Sequence, residues 1–454
     1  MSITGTGIVF ILLGLFGLIF NRKFLYDCFI FFIPFSATAI INIGSGDSGT
    51  AISPYLFLGP LWLISFCIYK IKTLSGFKGM NKAEISTILL LLGFAFIAFI
   101  SLIMPVIING SEMANVSGKL DTSDPIVFST TNITQYIYLL FGIVMALALY
   151  LHNKDEDNYK HTIKIYAISI LFVVFWGGIE LFCYYKDITY PDFIFNNSIS
   201  KYAGGFNGFL GEGGTKRISS VAVEPSILVQ SVFIIVPFLL FGLIKKQYIF
   251  NKYMDGFYLL LLYIFIIRTT STVGVICLCV ISILSLFFYL KSLSLKKRLV
   301  FISLSVFIVP VVILAIYYLF QDIIDQTLFG KSDTYSSLER LSAVYEAWGT
   351  FLTHPVLGTG WGSVTSFDLF VKLLSNTGIL GALFFSAFLL KVLINQAKAK
   401  NAFYNDSFIK SAICISFCTL IFSNMINGFS FVFGFFWLIT GLIMVTGTNF
   451  YKKA

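Results

Sequence analysis

The sequence predicts an all-α, polytopic helical membrane protein of about 12 to 13 transmembrane helices with two large loops on one face. Of the 454 residues, 57% are hydrophobic, 17% aromatic and only 12% charged, against about 25% charged in an average soluble domain. Apolar runs of about 20 residues recur along the whole chain, and each is long enough to cross a hydrocarbon layer of about 30 Å as a helix. No polar stretch is long enough to bury a core of its own, so residues 1–454 read as a single transmembrane domain. This composition excludes a soluble enzyme.

Run length places spans at roughly 4–20, 24–42, 55–69, 85–107, 132–151, 163–184, 225–244, 255–267, 270–290, 299–319, 369–390, 409–426 and 428–447. The first run is followed, not preceded, by the basic pair Arg22 and Lys23, so it reads as a retained span and not as a cleaved signal. The run ending at Arg268 is short, and it and its successor could be one broken helix. The connecting segments fall into two alternating sets, of which one holds 22 of the 31 Lys and Arg residues. Short cytoplasmic loops carry the basic excess, so that set is assigned to the cytoplasm and the N-terminus to the outside. The outer set holds 15 of the 22 Asp and Glu residues and is net acidic. The net charge of +9 is therefore a topology signal, and no nucleic-acid partner is expected.

The seven cysteines lie in or beside apolar runs and the three histidines are dispersed, so neither a disulfide framework nor a metal site is expected. Two outer loops stand out, 185–224 and 320–368. Loops of that length are usually functional or disordered, and these are too rich in aromatic and apolar residues for disorder.

The first loop ends in GFLGEGGTKRISSVAVEPSILVQ, residues 208–230. Glycines 211, 213 and 214 loosen the backbone ahead of Lys216 and Arg217. Glu224 and Pro225 then open a helix, with proline at its first position and a carboxylate at the positive end of its dipole. In the second loop, Leu338, Leu341, Val344, Trp348 and Leu352 recur at three- and four-residue spacing, which describes an amphipathic helix lying on or against the membrane. Glu339, Arg340 and Glu346 decorate it, and the His354-Pro355 step stops it. Gly358, Gly360 and Gly362 follow no strand and read as a tight turn, not as a dinucleotide fingerprint.

Arg217 and Arg340 are outer cations on a face with few of them, suited to bidentate contact with a phosphate or carboxylate. Arg268, at the outer end of its span, is a further anion contact or an interfacial anchor. Lys372, one turn into a span, is costly in a bilayer unless it faces a cavity or snorkels. Lys216, Arg268, Glu346, His354 and Lys372 are taken as candidate substrate-binding residues.

The order of these features resembles the O-antigen polymerase and ligase superfamily of bacterial membrane proteins: Arg217 before the Glu224-Pro225-Ser226 helix start, Arg340 with Trp348, His354-Pro355 with Gly358 and Gly360, then LLSNTGILGALFF at 373–385. The resemblance implies a GT-C type glycosyltransferase of the bacterial inner membrane. Its active site would face the periplasm, and its substrate would be an undecaprenyl-pyrophosphate-linked oligosaccharide lying in membrane lipid. Neither a metal nor a cofactor is implied, and a chain-length regulator protein is a partner of such systems. Essential arginines of the family fall, by local match, on Arg217 and Arg340. Ligases of the family carry a His-Asn pair shortly before the glycine matched by Gly378, where this chain has Phe367 and Asp368. That departure favours a Wzy-like polymerase of O-antigen or capsule over a WaaL-like ligase.

The residues fit this chemistry. The arginines would neutralise a diphosphate leaving group as its charge develops, and a carboxylate would deprotonate the attacking hydroxyl. Glu224 is the favoured base by position, ahead of Glu346 and Asp368. The rival class is a flippase or secondary carrier, which predicts internal repeats and ionisable groups at span midpoints. Glu180 is the clear carboxylate within a span, and it lies toward the outer end.

Overall fold

In the computed structural model, residues 1–44, 49–72, 82–120, 122–199, 208–209, 215–296, 318, 321, 335–398, 407–428 and 430–446 are described. The helices among them are α1 (Gly5–Phe20), α2 (Arg22–Phe31), α3 (Pro54–Lys72), α4 (Lys82–Ser101), α5 (Met104–Ile108), α6 (Thr130–His152), α7 (Glu156–Tyr185), α8 (Asp192–Phe195), α9 (Pro225–Phe233), α10 (Val236–Lys245), α11 (Lys252–Arg268), α12 (Thr272–Ser292), α13 (Tyr335–Thr353), α14 (Leu369–Lys398), α15 (Ser407–Asn427) and α16 (Gly434–Thr446). Strands are few and short. β1 (Ser2–Ile3), β2 (Ile41–Ile43) and β3 (Thr50–Ile52) form one antiparallel sheet, and β4 (Met113–Ala114) pairs with β5 (Asp124–Pro125). The protein is an all-α polytopic membrane protein.

Eight helices among the described residues are long and apolar enough to cross a membrane, and Gly5–Phe20 and Gly434–Thr446 are shorter apolar helices. Many large apolar side chains are exposed on the long helices, as with Leu89, Phe96 and Phe99 on α4 and Leu383 and Leu390 on α14. Exposed apolar side chains in such number suit lipid and not water.

Several spans expected from run length differ in detail. The run 24–42 is not one helix. α2 ends at Phe31, a turn carries Pro34, and residues 41–43 pair with β1 and β3. Ten residues rise only about 15 Å, so α2 is too short to span a bilayer. The run 225–244 holds as one candidate span, Pro225–Lys245, with a turn at Ile234–Ile235, two residues before Pro237, which has no N–H to donate to the helix. The runs 255–267 and 270–290 are two helices joined by a tight turn, with Thr270 at φ +53° and Ser271 capping α12. The final run, 428–447, is helical only from Gly434. Residues 299–317 and 319 of the expected span 299–319, and glycines 211, 213 and 214, lie outside the described residues.

The chain divides into two compact units. Unit 1 comprises Met1–Leu61, Thr162–Lys331 and Ser411–Thr419, and unit 2 comprises Trp62–His161, Ser332–Lys410 and Leu420–Ala454. In unit 1, α1 packs on α2, α10 on α11, and α9 on α12. In unit 2, α4 packs along α14 and α6 along α16. The α6–α16 contact is close because Gly142 leaves its place to the indole of Trp437, which a Cβ would strike. Phe94, Trp361, Phe385, Phe431, Phe436 and Trp437 form a buried aromatic core in this unit.

Candidate functional site

In unit 1 the residues Lys216, Arg217 and Glu224 lie on one non-helical segment that turns at Ser220 and is pinned from several sides. Lys216 is 6% exposed, and its Nζ stands 3.1 Å from Oε1 of Glu180, itself 1% exposed. The other Glu180 oxygen accepts from the backbone N–H of Ser219 (3.1 Å) and Ser220 (2.8 Å). Ser220 is held at φ +50°, donates its hydroxyl to the Val173 carbonyl, and accepts at its own carbonyl from Asn196. Farther along, the Val221 carbonyl accepts from the Ala37 N–H.

A buried carboxylate is tolerable only when paired and hydrogen-bonded, and here Glu180 is both. It fixes the backbone on each side of Arg217, whose neighbours Lys216 and Ile218 are buried while Arg217 itself is half-buried. The Arg217 N–H donates to the Gly208 carbonyl. Lys216 thus has its charge met inside the protein, by a partner that the sequence did not name for it.

Glu224 is the N-cap of α9, extended at φ −148° with Pro225 following at the first helical position, and its Oε2 accepts from the Ser226 hydroxyl. Arg268 ends α11 and donates through Nη2 to the Tyr185 hydroxyl at 2.6 Å.

Unit 2 holds the others. The helix α13 ends one residue before His354-Pro355, where the sequence placed its stop. Its small residues Ala343 and Ala347 are fully buried, while Leu338, Leu341, Trp348 and Leu352 are exposed. The bulky stripe therefore faces outward, as an interfacial helix requires, and the small stripe lets α13 approach Ile108, Ala114, Ile126 and Val364 closely. Arg340 is half-buried, with its guanidinium carbon 5.4 Å from the ring centroid of Phe367. Glu346 accepts from the Ser342 hydroxyl at 2.8 Å. His354 Nε2 meets Glu112 Oε1 at 2.9 Å.

Gly358, Gly360 and Gly362 all have positive φ and form the expected tight turn. It plugs a break in α14. Gly378, at φ +63°, interrupts that helix, and a Cβ there would run into the Val356 carbonyl and stand 2.5 Å from the Leu357 nitrogen. The opened backbone is satisfied by the turn: Thr359 N–H donates to the Ser375 carbonyl and Ile379 N–H to the Pro355 carbonyl. Asn376 clasps Val364 in both directions, accepting from its N–H at 3.1 Å and donating to its carbonyl at 2.9 Å. Asn132 on α6 reaches the turn from another side, donating to the Trp361 carbonyl. Irregular backbone within a membrane-crossing helix is tolerated where protein buries it.

Lys372 lies on the first half of the broken helix and is half-buried. Asp368 is the cap of that half, accepting from Val371 N–H at 2.8 Å. Three residues that position this site drew no attention in the sequence: Glu112, Asn132 and Asn376. Asn376 lies in an apolar run, where a polar side chain is a usable signal. Among the described residues, no group of three or more His, Cys, Asp or Glu is placed to hold a metal ion.

Comparison with known families covers parts of both units. Residues 257–386 match the family model described as O-antigen ligase. That segment runs from α11 through the Gly378 break and contains Arg268, Arg340, Glu346, His354 and Lys372, whereas Lys216, Arg217 and Glu224 precede it. No curated protein matches the chain. The match supports the O-antigen ligase and polymerase superfamily for that segment, and with it a role in O-antigen or polysaccharide biosynthesis.

Proposed function

We propose that the chain is a polymerase that elongates an O-antigen or capsular glycan, transferring it from undecaprenyl pyrophosphate to a second lipid-linked repeat unit at the periplasmic face of the inner membrane. The observation that carries this reading is Arg340 seated over Phe367, at the place where ligases of the resembled family carry histidine. Phe367 is committed to packing and Asp368 to capping α14, so a histidine-dependent ligase step lacks its residue.

In the proposed reaction an acceptor sugar hydroxyl attacks the anomeric carbon of the donor glycan. The new C–O bond forms as the bond from that carbon to the diphosphate oxygen breaks. The hydroxyl proton passes to a carboxylate and the lipid diphosphate departs with its bonding pair. Arg340 stabilises the leaving diphosphate, an electrostatic contribution whose removal typically costs about 10²–10³ in rate. Its planar guanidinium suits a diphosphate better than a lysine would. Lys372 and His354, on the elements that flank the Gly378 break, are proposed to help bind substrate. In the other unit, Arg217 is proposed as the second essential arginine and Glu224 as the base, with Arg268 in binding, each assigned through its own substitution.

The test is the glycan profile of a cell lacking the native copy. A polymerase leaves lipid core bearing one repeat unit when lost, and full-length chains return with the wild-type gene but not with Arg340→Ala. The matching family, O-antigen ligase, favours a ligase instead. That reading predicts bare core with accumulated lipid-linked polymer, an outcome that would overturn the polymerase.

A further inference from the structure

We infer that Asn427 binds a sugar hydroxyl of the glycan next to the diphosphate, resting on the polymerase reading above. Asn427 is the last residue of α15 and is 6% exposed. Its side-chain oxygen is buried and accepts no hydrogen bond. A buried acceptor without a donor costs about 1–3 kcal/mol, and native proteins leave few of them.

The place of this one is specific. The next residue, Gly428, turns at φ +80° and donates its N–H to the Phe367 carbonyl at 2.6 Å. A Cβ at Gly428 would stand 3.2 Å from the Phe367 ring carbon Cδ1. That same ring carries Arg340. The end of α15 is therefore locked to the residue on which the proposed diphosphate-binding guanidinium rests. In the same unit the indole N–H of Trp361, 4% exposed, likewise has no hydrogen-bond partner, and its ring centroid lies 5.1 Å from that of Phe431, four residues beyond Asn427.

One buried acceptor and one buried donor are thus left open around the Phe367 and Phe431 rings. A sugar hydroxyl both donates and accepts, and the first sugar of a glycosyl diphosphate presents hydroxyls beside the anion. A bare lipid diphosphate offers no such groups. Asn427 accordingly discriminates glycan-bearing from glycan-free lipid, while Arg340 serves both.

The experiment uses the full chain in lipid nanodiscs with two probes. One is undecaprenyl diphosphate; the other is the same lipid bearing one repeat unit, extracted from cells lacking this gene. Asn427→Ala should weaken the glycan-bearing lipid about fivefold, in line with the loss of one hydrogen bond, and leave the bare lipid within twofold of wild type. Arg340→Ala should weaken both. Wild-type affinity of Asn427→Ala for both probes, or equal losses on both, overturns the assignment and makes Asn427 a packing or water-bound residue. Asn427→Ser is read in the same way if the Ala variant is not recovered folded. If wild type binds neither probe, or if Arg340→Ala leaves binding of the bare lipid intact, the polymerase reading itself falls. That outcome is distinct from a silent Asn427 beside an effective Arg340.

Discussion

Lys216 and Glu180 form a buried ion pair, Nζ to Oε1 at 3.1 Å, that anchors the backbone carrying Arg217. Removing one member of such a pair strands the other charge and typically costs about 3–5 kcal/mol, whereas replacing both with apolar residues of similar volume is often neutral. Glu180→Ala should therefore lower the unfolding midpoint sharply, and Glu180→Leu combined with Lys216→Met should recover only the part due to the stranded lysine charge, because the Ser219 and Ser220 N–H groups still lose their acceptor. Thermal unfolding in detergent checks this. A Glu180→Ala protein as stable as wild type would remove the anchoring role.

The Gly378 break is a second expectation about stability. An alanine there meets both a left-handed backbone and the Val356 carbonyl, so Gly378→Ala should cost at least about 2 kcal/mol. Gly349 on α13 has nothing within 4 Å of the position of a Cβ, and Gly349→Ala should instead stabilise by up to about 1 kcal/mol. Opposite shifts of the two melting curves are the predicted result.

Asp368 tests whether a carboxylate at the entrance to α14 works as a cap or as a base. Asparagine caps as well as aspartate, so Asp368→Asn should keep both stability and chain extension. Asp368→Ala should lose about 1 kcal/mol of stability. Loss of extension in a stable Asp368→Asn protein would reassign it as the proton acceptor.

What the sequence disclosed was whatever depends on neighbours along the chain. The stop of α13 before His354-Pro355, the opening of α9 at Glu224-Pro225 and the turn through Gly358, Gly360 and Gly362 all follow from local backbone rules, and all are found. The division of 24–42 was hidden because apolar run length cannot distinguish a helix from a helix followed by a strand. That strand exists through pairing with residues 2–3 and 50–52. The break at Gly378 was hidden for the same reason, since 373–385 reads as one apolar helix and opens only because the 355–364 turn supplies its hydrogen bonds. The partners of Lys216 and His354 are Glu180 and Glu112, far off in sequence. Residue types alone marked both side chains as ligand contacts and said nothing of these.

The central claim is elongation of a lipid-linked glycan through Arg340, and reconstitution measures it most directly. Purified protein in nanodiscs would receive the undecaprenyl-diphosphate-linked repeat unit taken from deletion cells, with no nucleotide sugar added. A ladder of longer lipid-linked glycans with release of undecaprenyl diphosphate is predicted, lost in Arg340→Ala and weakened in Arg340→Lys. A ladder that persists undiminished in Arg340→Ala, or transfer only to a lipid acceptor that bears no repeat unit, would contradict it.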